Sequence, residues 1–181
     1  MRIISGEHKG RRIPVPGNFK ARPTTDFAKE ALFNIIANYF NFQSITVLDL
    51  FSGTGSIGYE FASRGAESVD LVEINRRYSD FITKTVQKLG LKQVHIYTSD
   101  VFRLIPRIKN KYDIIFADPP YDLNNIPEIP GLIFDNNVLL KDGWFILEHG
   151  KSQDFSDHAH FKELRKYGSV HFSIFTYFPK K

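Results

Sequence analysis

The run YDIIFA is followed by Asp118-Pro119-Pro120-Tyr121, a short polar loop whose residue types suit the handling of an amino group. Each proline fixes its own φ and pushes the residue before it towards extended geometry, so the loop is stiff and its carbonyls point in set directions. The Asp118 carboxylate and the Pro119 carbonyl can both accept hydrogen bonds from an exocyclic –NH2, turning its lone pair towards an electrophile. Tyr121 can stack on a planar base, a contact worth on the order of 1–3 kcal/mol. A proline-stiffened loop after a strand would account for Asp118, Pro119 and Pro120 but gives no reason for the adjacent aromatic.

A second chemical segment is VLDLFSGTGSIG, in which Ser52 precedes Gly53-Thr54-Gly55-Ser56-Ile57-Gly58, with Glu73 twenty residues beyond Gly53. G-x-G-x-x-G after a strand is the dinucleotide fingerprint, which seats a pyrophosphate on a helix N-terminus. Asp49, at the end of the preceding strand, opposes that reading, because a carboxylate beside a pyrophosphate costs Coulomb energy in a partly desolvated site. A cationic ligand without phosphate reverses the sign. S-adenosylmethionine carries an ammonium and a sulfonium that Asp49 favours, while Ser52, Gly53, Gly55 and Gly58 form a loop that lets the backbone approach its carboxylate and ribose. Glu73 offers two acceptor oxygens to the ribose hydroxyls, Asp100 can accept from the adenine amine, and Ile74 and Val101 supply apolar walls for the ring. Each acid alone could be a solvated loop residue or a helix cap, and capping is a strong competing role for Asp100. Three acids at three consecutive strand ends, in register with the glycine loop, are harder to explain as caps.

These loops need a frame with their strand ends on one side. Apolar runs at 45–51, 68–74, 93–99, 112–118 and 143–149 read as strands. Helical spacing occupies 26–39, 57–64, 76–89 and 101–108, with a weaker helix within 124–138, where Pro127, Pro130 and Gly131 interrupt the pattern. Strands apolar on both faces and separated by helices imply a parallel sheet covered on both sides, an α/β arrangement whose ligands bind beyond the carboxyl ends of the strands. Residues 2–15 alternate around Glu7-His8-Lys9-Gly10 as a small β-hairpin, and roughly 162–178 reads as a closing antiparallel pair.

A chain of 181 residues, 42% hydrophobic with 17 Phe and 8 Tyr, can bury one substantial core. We divide it into a basic hairpin and linker, 1–25, and a catalytic domain, 26–181. The net charge of +4 is unevenly placed: residues 1–29 carry seven basic and two acidic groups, the remaining 152 carry 17 and 18. That basic arm, chiefly Arg2, Lys9, Arg11, Arg12 and Arg22, suits phosphates. The absence of cysteine excludes disulfides and a thiolate nucleophile, and with it the ring-addition route to C5 of pyrimidines; the acceptor is then a nitrogen, or less readily an oxygen. The histidines show no metal spacing beyond a weak His-x-His, so no metal is expected. No signal peptide or membrane span is visible, and we expect a soluble, cytoplasmic monomer.

VLDLFSGTGSIG, LVEIN, TSDVF and DPPY, in that order, resemble the class I methyltransferases that use S-adenosylmethionine, and DPPY is similar to the amino-methyltransferase signature. RIISGEHKGRRIPVP followed by RPTTDFAKEALFNII resembles more specifically the bacterial 16S rRNA guanine-N2 methyltransferases of the RsmD type, from Met1 to about Phe178. The resemblance implies a Rossmann-like, seven-stranded, mostly parallel sheet with an N-terminal hairpin. It also implies methylation of one guanine N2 in 16S rRNA, naked or within a small ribosomal subunit or assembly intermediate. By motif, Asp49, Gly53, Gly55, Glu73 and Asp100 would contact the cofactor, residues 118–121 would hold the target amine, and Arg22-Pro23-Thr24 would lie near the entrance, with Thr24 towards the RNA. The prolines of 122–138 depart from the family pattern beside the acceptor pocket. Competing readings are a DNA adenine-N6 or protein glutamine-N5 methyltransferase, which share DPPY chemistry but more often carry Asn where Asp118 stands, and a non-catalytic RNA-binding assembly factor.

Overall fold

The computed structural model describes residues 1–17, 19 and 25–178. Its strands are β1 (Thr46–Leu50), β2 (Ser68–Val72), β3 (Val94–Tyr97), β4 (Tyr112–Ala117), β5 (Leu139–His149), β6 (Phe161–Tyr167) and β7 (Val170–Phe175). They form one sheet in the order β3-β2-β1-β4-β5-β7-β6. The first five are parallel, and β7 inserts antiparallel between β5 and β6. The order reverses between β1 and β4, which places a crevice at their carboxyl ends. Helices α1 (Asp26–Ala37), α2 (Ser56–Ser63), α3 (Arg76–Leu89), α4 (Val101–Leu104) and α5 (Ile129–Asp135) connect and cover the strands. One apolar cluster joins Leu32, Phe33 and Ile36 of α1 to Val47, Ile114 and Ile146 on one face; the other joins Leu48, Leu50, Ile115 and Phe145 to Ile129 and Ile133 of α5.

The departures from the sequence pattern have local causes. β5 begins at Leu139, ahead of the apolar run at 143, because Leu139 pairs with Tyr112 before an irregularity carries the register on to Ile114 and Trp144; the intervening Lys141 and Asp142 are exposed and break the pattern. The helix expected over 101–108 ends at Leu104 and continues as a 3-10 turn, Ile105–Arg107, containing Pro106, which lacks the N–H an α-helix needs there. Pro127 and Pro130 open helices instead of breaking them: each sits in the first turn, one of a 3-10 turn Ile126–Glu128 and one of α5, where a missing N–H costs nothing.

The N-terminal hairpin is reduced to a single antiparallel bridge, Arg2 to Arg12, with Ile3 N–H donating to Arg11 O and Ile13 N–H to Met1 O, each at 3.0 Å. Ile3 and Ile13 are buried in the same cluster as α1 and α2. Its outer turn is held by α2: Ile4 and Ser5 N–H donate to the Glu60 carboxylate at 2.7 and 3.0 Å, and His8 N–H donates to Ser63 Oγ at 3.0 Å.

Candidate active site

A cavity of about 900 Å³ opens along the carboxyl ends of β1, β2, β4 and β5. Of the residues expected at the cofactor, Asp49, Ser52, Gly53, Glu73, Ile74, Asp100 and Val101 line it, as do Asp118, Pro119, Pro120 and Tyr121 of the acceptor loop.

The loop after β1 is a closed network. Ser52 N–H donates to Val72 O at 2.9 Å, and Ser52 Oγ donates to Asp49 O at 2.7 Å. Gly53 N–H donates to Glu73 Oε2 at 2.8 Å, while Asn75 N–H donates to Oε1 at 2.7 Å. Ile74 N–H also acts on this carboxylate, so Glu73 ties β1 to β2 and keeps part of its acceptor capacity for a ligand. Burial raises its pKa, against those backbone donors. Phe51, a cavity residue, has φ of 57°, a left-handed conformation that costs an aromatic residue energy and that nothing in the sequence announces.

Gly55 and Gly58 are absent from the cavity wall and serve its geometry instead. Gly55 caps α2 with φ of 82° and donates its N–H to Ser52 O at 2.7 Å. A Cβ on Gly58 would lie 2.2 Å from Leu71 Cδ2, and Leu71 is fully buried, so the glycine is what lets α2 lie on the sheet. Asp100 is at the cavity and also performs its competing role, accepting from Arg103 N–H at 3.1 Å as the cap of α4.

Asp49 is 2% exposed and its Oδ2 has no hydrogen-bond partner. Burial, with the charge of Glu73 adding and the Gly58 N–H opposing, pushes its carboxyl up to about 8. Asp49 lines the cavity, and a buried carboxylate oxygen left without a partner there calls for a cation, a class to which the ammonium of S-adenosylmethionine belongs. Across the cavity, the pairing of Ala117 with Leu147 brings Asp118 beside Glu148, which also lines the wall. Burial first, then the charges of Glu148 and Asp49, hold Asp118 well above the usual carboxylate range. Tyr121 is 55% exposed at the rim, with its ring carbons 3.7 Å from the position a Cβ on Gly150 would take.

The Glu148-His149 pair divides by strand alternation. His149 is fully buried away from the cavity, Nδ1 at 2.8 Å from Gly150 O and Nε2 at 2.8 Å from Ser173 Oγ. A carbonyl can only accept, so Nδ1 carries the proton and Ser173 donates to Nε2; burial keeps this imidazole below its ordinary pKa. On the hairpin, Arg2, Lys9, Arg11 and Arg12 are exposed outside the cavity, and Arg2 pairs with Asp26 at 3.2 Å. Arg22 and Thr24 lie outside the described residues.

Sequence reasoning missed Lys29 and Glu60, 1% and 0% exposed. Lys29 Nζ donates to Arg2 O at 2.7 Å and to Ser56 Oγ at 3.2 Å, and stands 3.9 Å from Glu60 Oε2; Arg64 Nε reaches Glu60 Oε1 at 2.9 Å. Lys29 lies on α1, whose other polar residues Asp26, Glu30 and Asn34 are exposed, and Glu60 on α2, which is buried along its whole length, so no spacing signal marks either.

The strand order, the antiparallel β7 beside β5, and a glycine loop ringed by acids at successive strand ends define the class I methyltransferase fold. A putative methyltransferase from Escherichia coli, yhhF, superposes on the chain with a TM-score of 0.84 and 28% identity, covering 97% of this chain and 96% of that one. Residues 1–176 match the family model described as Conserved hypothetical protein 95, and the chain belongs to this family. Ribosomal RNA small subunit methyltransferase D of Buchnera aphidicola subsp. Baizongia pistaciae is 31% identical over 179 residues, 97% of this chain and 91% of the relative. The protein of the same name from Escherichia coli K12 is 32% identical over 148 residues, 82% and 74%.

Proposed function

We propose that this protein transfers a methyl group from S-adenosylmethionine to the exocyclic N2 amine of a guanine in 16S rRNA. The observation that carries the reading is one cavity with two chemically distinct walls: Asp49, with its orphaned Oδ2, and the glycine loop on one side, the Asp118-Pro119-Pro120-Tyr121 loop on the other. The names of the RsmD-type relatives support the RNA class of the substrate.

On this reading Asp49 Oδ2 takes the ammonium, the remaining acceptor capacity of Glu73 takes the ribose hydroxyls, and Ile74 and Val101 hold the adenine between an exposed and a buried wall. Bound S-adenosylmethionine supplies a methyl group already activated on a sulfonium. The protein then needs no covalent nucleophile; alignment and exclusion of water do most of the work. Asp118 and the Pro119 carbonyl accept from the guanine N2 hydrogens and set the nitrogen's direction, and Tyr121 stacks on the extruded base. A cation in the same cavity favours the ionised form of Asp118, so the acceptor side is ready when the donor side is filled. Arg2, Lys9, Arg11 and Arg12, exposed outside the cavity, contact the RNA, and the family resemblance adds Arg22 and Thr24 as RNA contacts.

Mass-spectrometric mapping of rRNA nucleotides with and without the gene tests the substrate: one guanine that loses an N2 methyl is expected. Label recovered in DNA or in protein would instead favour an adenine or glutamine amine. Asp118→Ala should lower the rate of methyl transfer at least a hundredfold, on the order of what one preorganised polar contact contributes, with calorimetric affinity for S-adenosylmethionine kept. An unchanged rate would remove Asp118 from the acceptor site.

A further inference from the structure

The rim of the cavity carries an exposed aromatic that folding does not use. Helix α1 buries Ala28, Leu32, Phe33 and Ile36, whereas Phe27 is 71% exposed. Its ring stands edge-on to Tyr167 with centroids 6.0 Å apart, and Tyr167 is braced from behind by Phe172 and the core. Thr25, two residues before Phe27, and Ser169 and Val170, just after Tyr167, line the cavity. The pairing of His149 with His171 sets this turn beside Glu148, so the Phe27–Tyr167 pair lies on the side of the acceptor loop.

Two guanidinium groups belong to residues tied to the neighbours of the pair. Arg2 is bound to Asp26, the residue before Phe27, and Arg165 shares a face of β6 with Tyr167 and pairs with Glu163; their side chains remain 49% and 43% exposed. A guanidinium has five N–H donors, so each keeps donors for a phosphate. An extruded base leaves its neighbours in the strand without a stacking partner, and an exposed ring on a surface that also carries cations can recover that stacking in a polyanion.

We propose that Phe27, backed by Tyr167, stacks on a nucleotide next to the methylated one in single-stranded RNA, with Arg2 and Arg165 against the flanking phosphates. This rests on the RNA methyltransferase reading above. The test is methyl transfer by the full chain to small ribosomal subunits from a strain lacking the enzyme, with KM and kcat resolved. Phe27→Ala should raise KM for the subunit about tenfold, the order expected for one lost stack, with kcat and the Kd for S-adenosylmethionine unchanged; Phe27→Trp should restore KM. Arg165→Gln should reduce the salt slope of RNA binding by about 1. If the wild-type protein methylates the subunit and a folded Phe27→Ala variant keeps the wild-type KM, or loses kcat alone, the platform is overturned while the methyltransferase reading stands. If the wild-type protein transfers no methyl to the subunit or to naked 16S rRNA, the reading fails and the platform falls with it.

Discussion

Asp49 combines a position legible in the sequence with a property that only its surroundings create. Four residues before Gly53 it had to fall at a strand end, but its exposure of 2% and its orphaned Oδ2 depend on α2 lying over it. With a folded-state pKa of about 8 against an ordinary 3.8, the folded chain keeps a proton that the unfolded chain has already lost between those values. Stability of the ligand-free protein therefore falls as pH rises through that window and levels off above it; Asp118 shifts in the same direction. The urea midpoint should drop between about pH 5 and about pH 8, and Asp49→Asn should flatten the decline. Calorimetry of S-adenosylmethionine binding in buffers of different ionisation enthalpy should find protons released near neutral pH, with about one fewer in Asp49→Asn than in the wild type. A wild-type titration without proton release would show that Asp49 is already charged.

At the scale of elements, the hairpin and α2 behave as one unit. Gly6 has φ of +81° and its missing Cβ would fall 1.8 Å from the Ser63 backbone oxygen, whereas Gly10, with φ of +78°, has nothing within 4 Å. Alanine at either position meets the left-handed penalty of roughly 1–2 kcal/mol, but only at Gly6 does it also drive the turn off α2. Thermal unfolding should show Gly6→Ala clearly less stable than Gly10→Ala; equal melting points would mean that the turn does not rest on α2 in solution. Undocking would also leave the Glu60 carboxylate without its two hairpin donors, a costly outcome for a fully buried charge. The strands and α3 were legible because burial on one or both faces writes a period into the residues. The docking of the hairpin was not, since its partners Glu60, Ser63 and Lys29 look like surface positions of ordinary helices.

At the scale of the molecule, four of the seven basic residues among the first 29, Arg2, Lys9, Arg11 and Arg12, lie on the hairpin, which shares the core through Ile3 and Ile13. Its exposed Lys9, Arg11 and Arg12 face outward, while the thioether of Met1 accepts from the Thr54 hydroxyl at 3.7 Å, next to the glycine loop. Neutralising Arg11 and Arg12 together should lower the slope of log affinity for RNA against log salt by about 2, with cofactor affinity unchanged in calorimetry. A fall in cofactor affinity would instead show that the hairpin acts through Met1 and Thr54 on the loop. Among the described residues, no helix is long and apolar enough to cross a membrane.

Taken alone, the sequence determined the α/β class, the strands whose ends carry Asp49, Glu73, Asp100 and Asp118, and the stiff acceptor loop, because apolar period, proline and glycine act over a few residues. It left Gly55 and Gly58 indistinguishable from cofactor contacts, since a glycine needed for ligand approach and one needed for helix packing leave the same letter. Only the tertiary structure decided that Gly58 seats α2 on Leu71, that Glu148 faces the cavity while His149 turns away, and that Lys29 and Glu60 meet beneath the hairpin. Those outcomes depend on sheet register and on contacts between residues distant in the chain, and burial of a charge is a property of its neighbours, not of its own type.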